Sequence, residues 1–353
     1  MKYVIWGANL SGGFLRANVE QTKEGSVAYN RKLVQLAEQY GVDSVLFATR
    51  YVGAIGGSAT DSGQLDPLTL ISAIAHETKK IRFIAAVLPG FLHPATLAKI
   101  GTTIDIISNG RFHINLVSGW FKEEQEMFGI EWIKHEDRYK RSTEYLEVLK
   151  GLWTEESFSY EGDFYQLKEA VLTPKPIQKP YPSIYQGGNS KDSQEMAAKL
   201  SDVYFMNGAP AEELKEQMQK VSAEAKKYGR KLQFAVNAFV IARDTDEEAI
   251  KEHEYIVAHA DDRAIAQVKA RTETKGMWKN AKNISDFVAN NEGFRTGLIG
   301  SYLTVAEKIK ELEAIGVDQI LLTFRKPLEE LPLFFREVKP LVEEEENGAL
   351  NID

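Results

Sequence analysis

A short apolar run, then a longer stretch with apolar residues at helical spacing, then another short apolar run: this alternation repeats along the chain and constrains its fold more than any other feature. Strands are expected at Tyr3–Asn9, Ser44–Ala48, Ile81–Leu88, Phe112–Val117, Ser183–Gln186, Val203–Met206, Phe234–Ala242 and Gln319–Phe324. Helices are expected at Tyr29–Tyr40, Pro67–Thr78, Pro94–Ile107, Arg138–Trp153, Ser190–Leu200, Ala211–Tyr228, Val305–Ala314 and Leu328–Leu341. Near-continuous apolar strands such as Ile81–Leu88 are buried on both faces, which is the mark of parallel sheets. Strand–helix alternation implies parallel pairing through right-handed crossovers, and eight such units predict an α/β fold of the (β/α)8, TIM-barrel type. A doubly wound open sheet is the alternative.

Such a barrel takes roughly 250 residues, and the chain has 353. The surplus falls in two expected insertions within one domain spanning 1–353: residues 158–182, ending in the Pro-rich "TPKPIQKPYP", and residues 246–296, long and charged, between the last two strands. The second is expected to form a mobile lid with Arg295 near its closing end.

The chemistry of a barrel sits at the carboxyl ends of its strands. Those ends read Asn9, Thr49-Arg50, Pro89-Gly90, Ser118-Gly119-Trp120, Gly187-Gly188-Asn189-Ser190, Asn207, Asn237 and Phe324-Arg325. Amides, hydroxyls, glycines and arginines dominate. No His/Asp/Glu cluster and no carboxylate pair is among them, which argues against metal and glycoside hydrolases, so no metal site is expected. The chain has no cysteine, which excludes thiolate catalysis and disulfides. A net charge of −8 without basic clustering argues against nucleic-acid binding. No apolar run is long enough for a membrane span, and no signal peptide is expected, since Met1-Lys2-Tyr3-Val4 reads straight into a strand pattern. A cytoplasmic enzyme is expected.

In "QGGNSKDS" (186–193) a strand ends, two glycines follow, and Ser190 stands at the N-cap of the next helix. Outward N–H groups and the helix N-terminus favour a phosphate there; an ordinary capped turn is the other reading. "HEDRYKRSTEY" (135–145) opens a helix whose Arg138 and Tyr139 can reach over the barrel mouth, or whose acids simply complement the helix dipole, with His135 a surface or interface histidine. Arg50 and Arg325 need either an anionic ligand or a neighbouring carboxylate. Trp120 can stack on a flat ring or pack at the rim, and Trp6 and Phe239 read as core or pocket wall. In "INLVSGW" (114–120), Asn115 interrupts a buried strand. An amide there calls for a hydrogen-bonding partner.

Together these stretches resemble the bacterial luciferase-like flavin monooxygenases, over nearly the whole chain. The family pattern "ATIDxxSNGRxxxNxVSGW" is matched by "TTIDIISNGRFHINLVSGW" (102–120), "HxERY" by "HEDRY" (135–139) and "QGGSS" by "QGGNS" (186–190). Within the family the chain is most similar to the dimethylsulfone monooxygenase branch, through "NLSGG" (9–13), "AVNAFVIARDT" (235–245) and "GFRTGLIG" (293–300). The resemblance implies that Asn115 bonds the polar edge of an FMN ring. It also implies that Thr49, Arg50, Ser118, Glu124, His135, Arg138, Tyr139, Gly188, Asn189 and Ser190 contribute to the FMN site. Reduced FMN is then a diffusible co-substrate with O2, delivered by a separate NAD(P)H-dependent reductase. Asn237, Arg295 and Trp120 are expected at the substrate.

The alkanesulfonate monooxygenases of the family carry an Arg-x-His pair where this chain has Asn237 and Phe239, together with a cysteine that is absent here. A small neutral sulfone, dimethylsulfone above all, is therefore expected in place of an anion. Alkanesulfonate or heterocycle oxygenation, or a non-catalytic flavin- or F420-binding role, are the alternatives. A homo-oligomer, dimer or tetramer, is expected.

Overall fold

The structure, a computed structural model, describes residues 1–52, 63–271 and 281–348. Eight parallel strands close into a barrel. They are β1 (Lys2–Trp6), β2 (Ser44–Phe47), β3 (Arg82–Val87), β4 (Phe112–Leu116), β5 (Ile184–Gly187), β6 (Val203–Met206), β7 (Gln233–Phe239) and β8 (Gln319–Thr323). Each pairs with its neighbours in sequence, and β1 closes the ring on β8 through the register Lys2–Gln319 to Ile5–Leu322. The (β/α)8 expectation is borne out, and the open sheet is excluded because both would-be edge strands are paired.

Strand periodicity of two divides every strand between two cores. Ile5, Phe47, Phe83, Ile114, Met206, Val236 and Leu322 face outward and pack under the ring of helices. Trp6, Leu46, Ile84, Tyr185, Phe205, Ala235, Phe239 and Leu321 face inward. On β4 the outward residues are Phe112, Ile114 and Leu116, so His113 and Asn115 point into the barrel. The amide that interrupts the apolar run is thus the last inward position of a strand whose other face is wholly core.

Local chemistry starts the helices where the periodicity does. Asp66 caps the helix Pro67–Ile74 by accepting from Thr69 N, and Ser190 caps Lys191–Leu200 by accepting from Ser193 N. The "SNGR" stretch serves the fold. Asn109 and Gly110 take φ of 56° and 76° to end the helix Pro94–Ile107. Arg111 then donates to the carbonyls of Ala75, Thr78, Ile81 and Ser108 and to Thr78 Oγ1, tying neighbouring βα units together.

Several boundaries move. The first strand ends at Trp6, and Asn9 instead donates to the carbonyls of Ala48 (2.6 Å) and Leu65 (2.9 Å). The run expected as one strand over Phe234–Ala242 breaks at Val240: β7 ends at Phe239, and Ile241–Arg243 leaves the barrel to pair with Ile299–Ser301. A continuous apolar run conceals a change of sheet because both sheets are buried. The helix expected from Arg138 begins at His135, and a short helix, Lys122–Met127, follows β4 where none was expected. The first insertion contains an antiparallel hairpin, Phe158–Glu161 with Gln166–Ala170. The second contributes helices Asp246–Ala258, Asp262–Arg271 and Ile284–Val288 and the turn Asn290–Thr296; residues 272–280 of the expected lid lie outside the described residues. Among the described residues no helix is long and apolar enough to cross a membrane.

His113 is 5% exposed in the barrel interior, and burial, with Arg82 and Lys2 adding repulsion, pushes its pKa down to about 3. A neutral imidazole in the fold and an ordinary one in the unfolded chain (pKa near 6.5) mean that the unfolded state binds the extra proton between those values. The stability tied to neutral His113 is present above about pH 6.5 and is lost as pH falls towards 3. His113→Gln should therefore lose stability less steeply between pH 6.5 and 4, by up to ~1.4 kcal/mol per pH unit. Denaturant melts across that range check this; parallel slopes for the two proteins contradict it.

Candidate active site

A cavity of about 210 Å³ opens at the carboxyl end of the barrel. Thr49 and Arg50 after β2, Asn115, Ser118 and Trp120 at and after β4, and Gly188 and Asn189 after β5 line one side of it. His135, Arg138 and Tyr139, from the first turns of the helix His135–Thr154, complete that side. The other side carries residues that reading the sequence did not single out for the site: Arg16, Phe205, Val268, Asn290 and Asn291, beside Trp6 and Asn207.

Two buried acceptors on the first side lack partners. Asn115 Oδ1 and Ser118 Oγ form no hydrogen bond among the described residues, and the two residues are only 6% and 8% exposed. Buried polar atoms are seldom left so, and both belong to the wall. At the far end, Gly188 has φ of 133°, and a Cβ there would meet Ser193 at 2.9 Å and the Tyr139 hydroxyl at 3.3 Å. Only glycine brings the chain this close. Tyr204 donates to the Gly188 carbonyl, and Gln217 holds the Asn189 amide oxygen at 3.1 Å. Burial pushes the Tyr139 phenol up, against hydrogen bonds from Ser190 and Ser193 that pull it down, so it stays a neutral donor. Asp192, an acid in the first turn of the next helix, is answered by His135 Nε2 at 3.1 Å. The arrangement can grip a flat ring with a polar edge at Asn115 and Ser118 and an anion at the capped helix.

The arginines are fixed before any ligand arrives. Arg50 Nε lies 3.4 Å from Glu124 Oε1, and its guanidinium rests 4.9 Å from the Trp120 ring and 4.7 Å from that of Phe121. Arg138 lies 4.0 Å over Trp132 and donates to the Ile133 carbonyl at 2.8 Å. Arg325 meets Glu252 at 3.0 Å, the carboxylate partner that its strand-end position called for.

Four expected site residues stand off the wall. Glu124 is behind Arg50, where its Oε1 accepts from the backbone N–H groups of Tyr51 (2.7 Å) and Val52 (3.2 Å). Ser190 is held at its helix cap. Asn237, expected to offer a donor to substrate, sits lower in the barrel: its Oδ1 accepts from Trp6 Nε1 at 2.9 Å and its Nδ2 donates to the Asn290 carbonyl at 3.0 Å. Arg295 is drawn away by Glu213 at 2.8 Å and Glu292 at 3.2 Å. The turn above Asn237 explains both. Asn291 and Glu292 adopt left-handed backbone, φ 47° and 54°, a costly pair for non-glycine residues. Asn207 Nδ2 donates to Glu292 Oε2 at 2.9 Å, Gly208 N to the Asn291 carbonyl at 2.9 Å, and Thr296 Oγ1 to the Asn237 carbonyl at 2.6 Å. Among the described residues no group of three or more acidic or histidine side chains is placed to hold a metal.

A closed parallel barrel with a polar ring-and-anion cleft at its carboxyl face defines a cofactor-dependent barrel enzyme. The family model described as luciferase-like monooxygenase matches residues 11–319, and the chain belongs to that family. It is 42% identical over 352 residues to an FMNH2-dependent dimethylsulfone monooxygenase of Pseudomonas putida, covering 98% of this chain and 96% of that protein. To a protein of the same description from Pseudomonas fluorescens (strain Pf0-1) it is 38% identical over 357 residues, covering 99% and 96%. Among solved structures, a long-chain alkane monooxygenase shares its fold with a TM-score of 0.83 at 22% identity, covering 98% of this chain and 91% of that one.

Glu124→Ala removes the carboxylate beside Arg50 and the acceptor of two N–H groups. It should cost about 3 kcal/mol of stability, in the range for breaking one side of a buried pair. Glu124→Gln, which keeps an acceptor, should cost less. Denaturant melts of both variants check the order, and a harmless alanine would show that the pair does not hold this loop.

Proposed function

We propose that the protein is a two-component monooxygenase that uses reduced FMN and O2 to cleave a C–S bond of dimethylsulfone, acting as one catalytic unit. The balanced reaction consumes dimethylsulfone, O2 and FMNH2 and yields methanesulfinate, formaldehyde, FMN and water. The observation that carries the reading is the pair of unpartnered buried atoms, Asn115 Oδ1 and Ser118 Oγ, on the same wall as the glycine cradle at Gly188. They fit FMN: the amide and hydroxyl would meet the ring's polar edge, while Tyr139, Gly188, Asn189 and Ser190 would take the phosphate at a helix N-terminus. The near full-length likeness to dimethylsulfone monooxygenases supports the same substrate.

Bound reduced FMN supplies the electrons that activate O2. The protein's part is to orient the ring, exclude water and hold the substrate against it. Thr49 donates to the Ala86 carbonyl, which fixes the floor beneath the ring position. Trp120, braced by Arg50, forms the rim. Asn237 acts through Trp6 and the 290–291 turn, setting the wall rather than touching substrate, and Arg295 helps lock that turn through Glu292. With Arg50, Arg295 and Arg325 all beside carboxylates, the site favours a neutral sulfone over a sulfonate.

A separate NAD(P)H-dependent reductase supplies the reduced flavin, and a cytoplasmic setting follows from that need. Association into a dimer or tetramer is supported by the exposed apolar side chains Tyr51, Met127 and Phe128 close to the mouth.

Purified protein should be nearly colourless, because the flavin enters and leaves on each cycle. With a separate reductase, FMN and NADH, it should release formaldehyde and methanesulfinate in equal amounts from dimethylsulfone, faster than it attacks ethanesulfonate or octanesulfonate. Faster turnover of either sulfonate would overturn the substrate, and a stoichiometric yellow protein surviving dialysis would overturn the co-substrate role.

A further inference from the structure

Beyond Ala289 the chain emerges onto the cavity. Val288 and Ala289 are wholly buried, and Asn290, 7% exposed, lines the wall opposite the ring position. Its backbone is fixed on both sides. Asn290 N donates to the Phe14 carbonyl at 3.1 Å, and its own carbonyl accepts from Asn237 Nδ2 at 3.0 Å. A bridge between Leu15 and Ala289 braces the residue before it. The side-chain amide is the opposite case. It makes no hydrogen bond among the described residues, yet neither its Oδ1 nor its Nδ2 is shut off in the interior. A residue this buried has only the cavity for its amide to open on.

A sulfonyl group has two acceptor oxygens and no proton to give, so its site must supply donors. Around this turn the indole and two other amides are already bonded: Trp6 Nε1 to Asn237 Oδ1, Asn237 Nδ2 to the Asn290 carbonyl, and Asn207 Nδ2 to Glu292 Oε2. A primary amide carries two N–H donors. With no internal partner, that of Asn290 can turn its Nδ2 to an acceptor that enters the cavity. The donors are uncharged, so they can bond a neutral oxygen but offer no charge to offset the desolvation of an anion. Apolar neighbours on the same wall, Phe205 and Val268, strengthen such a bond relative to one in water.

We propose that Asn290 is a specificity-determining residue for the substrate, its amide donating to a sulfonyl oxygen and so selecting oxidised sulfur over a thioether. This rests on the sulfone reading above. The bond from Asn237 to the Asn290 carbonyl sets where that amide stands, so the asparagine of β7 acts on the substrate through its neighbour on the turn.

The test compares wild type, Asn290→Leu, Asn290→Ala and Asn290→Asp with dimethylsulfone as substrate and dimethyl sulfide, which lacks the oxygens, as competitive inhibitor. Leucine and alanine have no donor. Each should raise KM for the sulfone about tenfold, keep the inhibition constant of the sulfide within about twofold, and leave reduced-FMN affinity unchanged. Aspartate keeps the shape but presents acceptors to the sulfonyl oxygens, so its KM should be higher still. Equal weakening of sulfone and sulfide overturns the proposal, as does an unchanged KM or an aspartate variant that matches wild type. The amide bonds nothing in the protein, so thermal melts of the alanine variant should match wild type; a marked loss of stability in all three variants would make Asn290 a structural residue and overturn its role at the substrate. If wild type itself does not turn over dimethylsulfone, the underlying reading falls and takes this one with it, whereas wild-type turnover with unchanged variants brings down this one alone.

Discussion

Closure of eight parallel strands into a ring is the constraint on which everything else depends. It removes the sheet's edges and forces every strand to divide its side chains between an outer and an inner core. It also gathers all the carboxyl ends on one face. Asn115 and Trp6, far apart in sequence, come to one cavity only because their strands share that parity. The helices then follow, each capped where a strand-to-helix turn delivers it. At Ser190 the cap that starts a helix also builds the proposed anion site.

Charge is handled by prior pairing. Arg50 faces Glu124, Arg325 faces Glu252, and Arg295 is shared by Glu213 and Glu292. Arg243, between Glu252 and Glu330, extends the same pattern beneath the added two-stranded sheet. Pairs this buried contribute little net stability but are costly to break; their effect is to fix geometry and cancel field. Burial pushes the pKa of Glu292 up against Asn207 and Arg295, which pull it down. The left-handed turn at 291–292 thus depends on a carboxylate in an unfavourable place, held by Asn207 from the loop after β6 and by Arg295 of the same turn.

Much of this was legible beforehand. Strand–helix alternation revealed the barrel, and the strand ends picked out part of the wall, Thr49, Arg50, Ser118, Trp120, Gly188 and Asn189 among it, because period-two and period-3.6 patterns survive in any well-packed barrel. Gly188 and Ser190 were readable as a glycine turn running into a capped helix, with an anion site as one of the two readings that such a turn allows. What escaped were residues in segments without period. Arg16 lies in an irregular stretch docked by backbone bonds to residues 260–290, and Asn290 and Asn291 lie on a strained turn; no spacing announces either. Asn237 was placed at the mouth from its strand number, whereas its amide is consumed by Trp6 and by the turn above it. Glu124 read as a flavin contact and stands one layer back, because the short helix that carries it was not foreseen.

The central claim is that one cavity holds the ring at Asn115 and the phosphate at Gly188 and Asn189, before the helix that Ser190 caps. Anaerobic titration with reduced FMN and reduced riboflavin, which lacks the phosphate, separates the two ends. Asn115→Leu should weaken both ligands by the same factor, about tenfold for a buried polar partner lost. Ser190→Ala should weaken reduced FMN while leaving reduced riboflavin unaffected. If Asn115→Leu changes neither ligand, or if Ser190→Ala weakens both alike, the cofactor does not lie across this cavity in the way the structure implies.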